Sequence, residues 1–141
     1  MSWLLDTCVV SEMVRPTPAP AVVDWLGSCA EESLYLSVLT LGEIGKGVAK
    51  LADSSTRTRL EAWLRHDLPD RFAGRILPID QPVAAIWGTL CGEAERAGSP
   101  LPVIDSLIAA TALHHGLTVV TRNTRGLERC GAACFDPWTG R

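Results

Sequence analysis

Three carboxylates and two neutral polar residues occupy positions from which they could carry out chemistry. Asp6 ends a short apolar run typical of a buried strand, Glu43 lies one turn into the helix predicted after the next strand, and Asp105 lies in the first turn of a later helix. Thr121 and Asn123 end another predicted strand. Since ligands of open α/β sheets bind beyond the carboxyl ends of the strands, we expect these side chains to face one site.

The surroundings of Asp105 predict a cation in that site. Its helix is apolar on nearly all sides, and Ala109 and Ala112 on the same face are small, so the carboxylate should lie close to the interior. No Lys or Arg lies within one turn to pair with it, and an isolated buried charge is costly. Converging carboxylates without local cations require an external cation, and all-oxygen ligands suit Mg²⁺ or Mn²⁺ rather than zinc.

Such a site could hydrolyse a phosphodiester bond. Carboxylate-bound metal ions position a water molecule, lower the pKa of that water and neutralise charge on the phosphate. The sequence offers no rival nucleophile, because Cys8 and Ser11 have no neighbouring histidine to activate them and His114 and His115 lie at a helix end. It contains no P-loop and no Gly-rich dinucleotide motif.

Each acid also has a purely structural explanation. Asp6 could cap the helix that starts at Thr7. Thr40 and Glu43 have the spacing of a capping box, in which the glutamate would bond back to a backbone N–H. Asp105 could favour the positive end of its helix dipole. For each residue alone both interpretations stay open, and the coincidence of unpaired acids favours the metal site.

The elements that must position these residues alternate between strand and helix. Apolar or alternating runs predict strands at 3–5, 33–38, 75–79 and 117–121, with a last short strand at 133–135. Helical patterns predict helices at 7–14, 21–30, 40–51, 56–72, 82–97 and 103–114, the last ended by Gly116. This alternation predicts a single α/β domain over residues 1–141, with a mostly parallel sheet covered on both faces.

Composition predicts a folded protein, and the lack of recognisable targeting signals makes the cytoplasm its expected location. Of its 141 residues, 47% are hydrophobic, which is enough for a core. No apolar run is long enough to span a membrane and the N-terminus lacks the features of a signal peptide, so we expect a cytoplasmic location without membrane contact. The five cysteines are odd in number and irregularly spaced, and we expect them to be reduced.

Charge alone does not indicate a nucleic-acid ligand. The net charge is −3, but Arg122, Arg125 and Arg129 lie close together in the sequence. A small acidic protein can bind phosphates where bound cations change the local sign. Arg122, Arg125 and Arg129 are therefore candidates for contacts to phosphates.

Five segments together resemble the VapC-type PIN-domain toxin family. They are LDTCVVSE from Leu5, SVLTLGEI from Ser37, PVIDSLIAATA from Pro102, TVVTRN from Thr118 and DPW from Asp136. The segments occur in family order and with family-like spacing over nearly the whole chain. Any one of them is a weak signal, whereas the first four in this order, followed by the usual DPW ending, are a strong one.

The resemblance implies a three-layer α/β/α PIN-like domain with a short, mostly parallel five-stranded sheet. It implies an endoribonuclease that depends on Mg²⁺ or Mn²⁺, usually the toxin of a type II toxin–antitoxin pair. Asp6, Glu43 and Asp105 match the acidic positions of its metal site, and Thr121 and Asn123 match the polar positions beside it. It also implies an RNA substrate, a homodimer and a small antitoxin whose basic tail enters the active site.

Two positions depart from the family pattern and keep alternatives open. Many relatives have Asn in place of Cys8 and an acid in place of Gly126, so the number of metal ions is not fixed by the sequence. One alternative is a catalytically weak or idle PIN-like module that only binds a partner. Another is a different Mg²⁺-dependent phosphohydrolase, but the stretch after Asp6 lacks the second Asp that such enzymes place two residues on.

Overall fold

A short parallel sheet runs through the centre of the molecule. The computed structural model describes all residues from Met1 to Arg141. The strands are β1 (Trp3–Leu5), β2 (Leu34–Ser37), β3 (Ile76–Leu77), β4 (Thr118–Val120) and β5 (Cys134–Phe135). All neighbouring strands pair in parallel, in the order β3-β2-β1-β4-β5. The predicted parallel α/β sheet is confirmed, and its central strand is the one that ends at Asp6.

Eight α-helices connect and cover the strands. They are α1 (Thr7–Glu12), α2 (Pro20–Ser28), α3 (Val38–Ala49), α4 (Ser55–Ala62), α5 (Leu68–Arg71), α6 (Gln81–Arg96), α7 (Val103–His115) and α8 (Thr124–Arg129). A 3-10 turn spans Glu31–Ser33, and a π-helical stretch, Trp63–Asp67, joins α4 to α5. As predicted, α7 ends at Gly116, which adopts the left-handed conformation with a φ of 66°.

The core lies on both faces of the sheet because successive side chains of a strand point to opposite sides. Leu5 and Val120 belong to one buried cluster, together with apolar residues of α1, α2 and α3. Leu4 and Val119 belong to a second cluster with residues of α7 and α8. The strands are apolar throughout because helices cover both faces, which is the predicted three-layer arrangement.

Element boundaries differ from the sequence expectations in places with identifiable causes. Helix α8 was not predicted, because its six residues carry a single buried apolar side chain, Leu127, and so show no periodicity. Helix α1 ends at Glu12 instead of at residue 14, and strand β3 covers only two of the residues 75–79. None of the helices combines the length and the apolar character that crossing a membrane requires.

Candidate active site

Asp6 lies directly after the central strand and is fixed through both carboxylate oxygens. Its backbone N–H donates to the carbonyl of Val120 at 2.9 Å, which continues the pairing of β1 with β4. Its Oδ1 accepts from the backbone N–H of Thr7 at 2.9 Å and so caps α1. Its Oδ2 accepts from the hydroxyl of Thr121 at 2.8 Å. The capping role is therefore real, and it occupies only one of the two oxygens.

Thr121 connects the ends of two neighbouring strands. The residue follows β4, is fully buried, and donates its hydroxyl proton to Asp6. The same oxygen accepts from the backbone N–H of Asn123 at 3.0 Å. Because the hydroxyl is engaged as donor and as acceptor, its orientation is fixed, and it fixes the orientation of the Asp6 carboxylate in turn.

Asp105 is half-buried in the first turn of α7, whose N-terminus has no side-chain cap. Its Oδ2 accepts from the side-chain amide of Asn123 at 3.3 Å, and no Lys or Arg pairs with it. Burial raises the pKa of this carboxyl, the charge of Asp6 raises it further, and the Asn123 hydrogen bond partly opposes the shift. Asp6 and Asp105 are thus close enough for their charges to repel.

Glu43 lies on α3 and is held by a residue that sequence reasoning missed. Its Oε1 accepts from the hydroxyl of Thr7 at 2.5 Å. The only signal in the sequence was a hydroxyl residue directly after Asp6. The capping-box explanation for Glu43 is wrong, because α3 begins earlier than expected and Ser37 caps it. Thr40 is instead fully buried and its hydroxyl has no hydrogen-bond partner.

The donor set at this edge of the sheet consists of oxygens. No three acidic, histidine or cysteine side chains lie close enough together to coordinate one ion among themselves. The two acids whose charges interact are Asp6 and Asp105, while Glu43 is turned towards Thr7. Mg²⁺ is commonly bound through one or two carboxylates and keeps several of its waters, so this donor set fits it.

The three arginines proposed from the sequence have different surroundings. Arg122 is exposed, and its guanidinium carbon lies 4.1 Å from the ring centroid of Trp138. Arg125 is exposed on α8 and forms no ion pair. Arg129 donates to the carbonyl oxygens of Ser99 and Pro100, both at 2.9 Å, and so secures the loop before α7. Arg122 and Arg125 therefore present their charge to solvent, whereas the guanidinium of Arg129 is engaged by carbonyl oxygens of the chain.

Cysteine chemistry does not compete at this site. All five cysteines are free thiols, as expected. Cys8 is half-buried with its Sγ 3.8 Å from the hydroxyl of Thr121, and burial raises the pKa of its thiol. Burial likewise raises the pKa of Cys134 to about 11. Neither thiol supplies much thiolate at neutral pH, and the thiolate is the nucleophilic form.

Comparison with known proteins identifies a family and several relatives of this chain. Residues 3–132 match the family model of the PIN domain. Toxin FitB of Neisseria gonorrhoeae is 44% identical over 135 residues, which cover 96% of this chain and 97% of that protein. The VapC ribonuclease Y4jK of Sinorhizobium fredii is 35% identical, with 96% of each chain covered. A chain in the structure of FitAB bound to a DNA fragment superposes with a TM-score of 0.88 at 42% identity, covering 96% of this chain and 95% of that one.

Proposed function

Because this chain belongs to the PIN-domain family of VapC- and FitB-type toxins, we propose that it is the metal-dependent endoribonuclease toxin of a type II toxin–antitoxin pair. The observation that carries the proposal is the pair Asp6 and Asp105 at the carboxyl edge of the sheet. One segment after β4 orients both acids, since Thr121 donates to the first and Asn123 to the second. No cation of the chain neutralises Asp105, so its charge is available to a metal ion.

We assign Mg²⁺ or Mn²⁺ to Asp6 and Asp105 as direct ligands, with Glu43 as a third acid that would act through a metal-bound water. Bound there, the ion would supply an activated water and neutralise charge on the scissile phosphate. The residues of the chain do the positioning. Thr121 holds the Asp6 carboxylate, Asn123 holds Asp105, and Thr7 holds Glu43 on the α3 side. Three neutral donors therefore fix three carboxylates without cancelling their charge.

The substrate that we propose is RNA, whose phosphates Arg122 and Arg125 would contact. Both side chains are exposed and lie on the segment that also carries Thr121 and Asn123. With a net charge of −3, the protein as a whole repels a polyanion. Local positive charge from these two arginines and from the metal ion would offset that repulsion.

The partner we propose is a cognate antitoxin with a basic tail. The relative FitB occurs in a solved complex, FitAB, on DNA. A site lined by carboxylates attracts an arginine, whose planar fork pairs with carboxylates through two hydrogen bonds. An antitoxin arginine against Asp6, Glu43 or Asp105 would neutralise the same charge as the metal and block the site. A complex whose antitoxin tail brings no basic residue to these acids would refute this.

We further propose that the whole chain is one PIN domain that forms a homodimer. Apolar side chains that a partner copy could cover include Val103 at the start of α7, which is 61% exposed, and Leu113 on the same helix, which is 43% exposed. Light scattering on the purified protein would give the mass in solution. A monomeric mass at all protein concentrations would reject the dimer proposal and would leave the nuclease proposal unaffected.

The nuclease proposal is tested with purified protein and a mixed RNA substrate. We expect cleavage with Mg²⁺ or Mn²⁺, none in EDTA, and a loss of more than about 100-fold for Asp105→Asn, above the range for loss of an outer-shell metal partner. Asp24→Asn is the matched control, because Asp24 is exposed on α2 and makes no side-chain hydrogen bond. Cleavage that persists in EDTA or in Asp105→Asn would reject the metal site. A folded protein without any cleavage would favour the idle partner-binding module.

A further inference from the structure

A groove between α1 and α3 opens onto the candidate active site. Its volume is about 280 Å³, and its lining includes Thr7 and Glu43, which are hydrogen-bonded to each other at the site. One turn further along each helix, Ser11 and Gly47 line it as well. Its remaining wall is apolar and consists of Val14, Ile44, Val48, Leu51, Leu60 and Trp63. The groove is therefore continuous with the site.

Gly47 keeps the middle of this groove open. It lies inside α3 without a positive φ, so the backbone does not require glycine there. A Cβ at this position would meet no atom within 4 Å. A larger side chain would therefore enter the groove without displacing any part of the protein. This position gives a direct means of testing what the groove holds.

The groove offers the groups that recognise a nucleobase. Trp63 is half-buried, contributes an aromatic surface, and its indole N–H has no hydrogen-bond partner in the chain. The hydroxyl of Ser11 likewise makes no hydrogen bond within the chain. Unpaired bases of RNA are recognised by stacking on aromatic side chains and by hydrogen bonds to their edges. The volume is small for a ligand site and suits a single base.

The charge along α3 favours a polyanion in this groove over a basic protein tail. The only two lysines of the chain, Lys46 and Lys50, are exposed and form no ion pair. They follow Glu43 and Gly47 by three residues each, and residues three apart are neighbours on a helix surface. Both lysines therefore lie beside the groove, where they would attract phosphates and repel an arginine-bearing antitoxin tail.

We propose that this groove is a nucleobase subsite, which takes one unpaired base of the RNA next to the scissile phosphate. The proposal rests on the RNA-cleaving function inferred above and adds base recognition to it. The two lysines lie on the helix that follows β2, whereas Arg122 and Arg125 follow β4, and β1 lies between these strands. An RNA strand held by both basic segments crosses the end of β1, where Asp6 lies, and brings a neighbouring base to the groove.

Gly47→Leu fills the groove and is the decisive variant. Leucine favours a helix more than glycine does, so we expect the melting temperature to equal or exceed that of the wild type. Gly92→Leu is the matched control, because Gly92 is exposed inside α6, a Cβ there also meets nothing within 4 Å, and it does not line the groove. Ser11→Ala is a second variant, which removes a hydroxyl and adds no volume.

The test is fluorescence anisotropy with short mixed-sequence single-stranded RNA and with an abasic ribose-phosphate strand of the same length. All variants are made in the inactive Asp105→Asn protein, so that the RNA stays intact. We expect Gly47→Leu to bind RNA about ten-fold more weakly, since the stacked base is lost, and to bind the abasic strand with unchanged affinity. Ser11→Ala should show a smaller loss for RNA only, and Gly92→Leu should show none.

Three outcomes of this experiment would overturn the subsite. One is unchanged RNA affinity in Gly47→Leu, and another is an equal loss for the abasic strand, because the groove would then not hold a base. The third is weaker binding of a short arginine-rich peptide by Gly47→Leu with RNA affinity unchanged, which would assign the groove to the antitoxin tail.

Cleavage kinetics separate a failure of this proposal from a failure of the proposed function. In the active protein we expect Gly47→Leu to lower kcat/KM on mixed RNA about ten-fold, with an unchanged affinity for Mg²⁺ in isothermal titration. A wild type that cleaves RNA beside a Gly47→Leu variant of equal kcat/KM would refute the subsite alone, whereas a wild type without cleavage would refute both proposals. Weaker Mg²⁺ binding in Gly47→Leu would also reject the subsite, because the variant would then act through Glu43.

Discussion

Glu12 and Asp105 are two shielded acids that the chain treats in opposite ways. Glu12, at the end of α1, has 4% of its side chain exposed and accepts from the backbone N–H of Ala19 at 2.8 Å and from Arg15 at 3.1 Å. Those two partners lower the pKa of its carboxyl. Asp105 has one neutral donor and a like charge nearby, and its pKa is raised.

The difference separates an acid that serves the fold from one that awaits a ligand. A carboxylate out of water is stable when hydrogen bonds and a cation replace its hydration. Glu12 finds both within seven residues of its own chain, and it thereby ties the end of α1 to the start of α2. Asp105 accepts one hydrogen bond, from the neutral amide of Asn123, and has no cation beside it. Burial alone therefore does not identify a functional acid, whereas burial without a cation does point to one.

Replacing Glu12 should give the largest loss of stability among the tests of this contrast. Glu12→Ala leaves the backbone N–H of Ala19 without its acceptor and Arg15 without its partner. We expect the melting temperature to fall by about 5 °C, the scale set by an unsatisfied buried donor in a domain of this size. Circular dichroism during heating measures the shift, and Mg²⁺ affinity of the folded protein should be unchanged. An unaltered melting point would mean that the Glu12 contacts contribute nothing.

The isosteric variant Glu12→Gln separates charge from hydrogen bonding and carries a pH signature. The pKa of Glu12 is lowered from its ordinary value of 4.5, so the wild-type advantage over Glu12→Gln should be complete above that value. It should be lost as the pH falls through the lower folded-state pKa. An advantage that grows as the pH falls would show that the carboxylate is not stabilised in the fold.

The arginines sharpen the comparison, because they divide in the same manner as the acids. Arg129 is bound by its own chain, whereas Arg122 and Arg125 face solvent. We expect the double variant Arg122→Ala/Arg125→Ala to reduce the slope of log affinity against log salt by about 1.4, near 0.7 for each phosphate contact to single-stranded RNA. Filter binding with inactive Asp105→Asn protein measures the slope.

Arg129→Ala is the control for that experiment. Its guanidinium secures the loop before α7, so its removal should lower stability while the salt slope stays unchanged. The sequence alone grouped all three arginines as candidates for phosphate contacts. A slope that changes for Arg129→Ala and stays fixed for the double variant would assign the phosphate contact to Arg129 instead.

Sequence patterns predicted the placement of the acids but not the groups that hold them. Asp6 was found because a polar residue at the end of an apolar strand lies at the carboxyl edge of the sheet, which local spacing determines. The bond between Thr7 and Glu43 joins residues 36 positions apart, and it depends on how α1 packs on α3. The hydrogen bonds of the Asn123 side chain to Asp105 and to the backbone N–H of Gly126 depend on its rotamer, which no periodicity encodes.

The smallest expected effect is also the one that tests the contrast most directly. At pH 7.5 in EDTA, ionised Asp105 is disfavoured in the fold by burial and by the charge of Asp6. Asn at this position removes that charge and can still accept from Asn123. Asp105→Asn should therefore melt at or slightly above the wild-type temperature, although it is inactive. Mg²⁺ should raise the wild-type melting point, because it binds the folded state, and should raise the mutant much less.

The sign of the pH dependence gives that prediction its control. Since the folded-state pKa of Asp105 is raised from its ordinary value of 3.8, protonation favours the fold, and the wild type should gain stability relative to Asp105→Asn as the pH falls. The mutant's advantage should therefore be largest near neutral pH and shrink below the raised pKa. If Asp105 instead serves to stabilise the start of α7, the mutant melts lower in EDTA at neutral pH and responds to Mg²⁺ like the wild type. Asp105 would then belong with Glu12, as an acid retained for the fold.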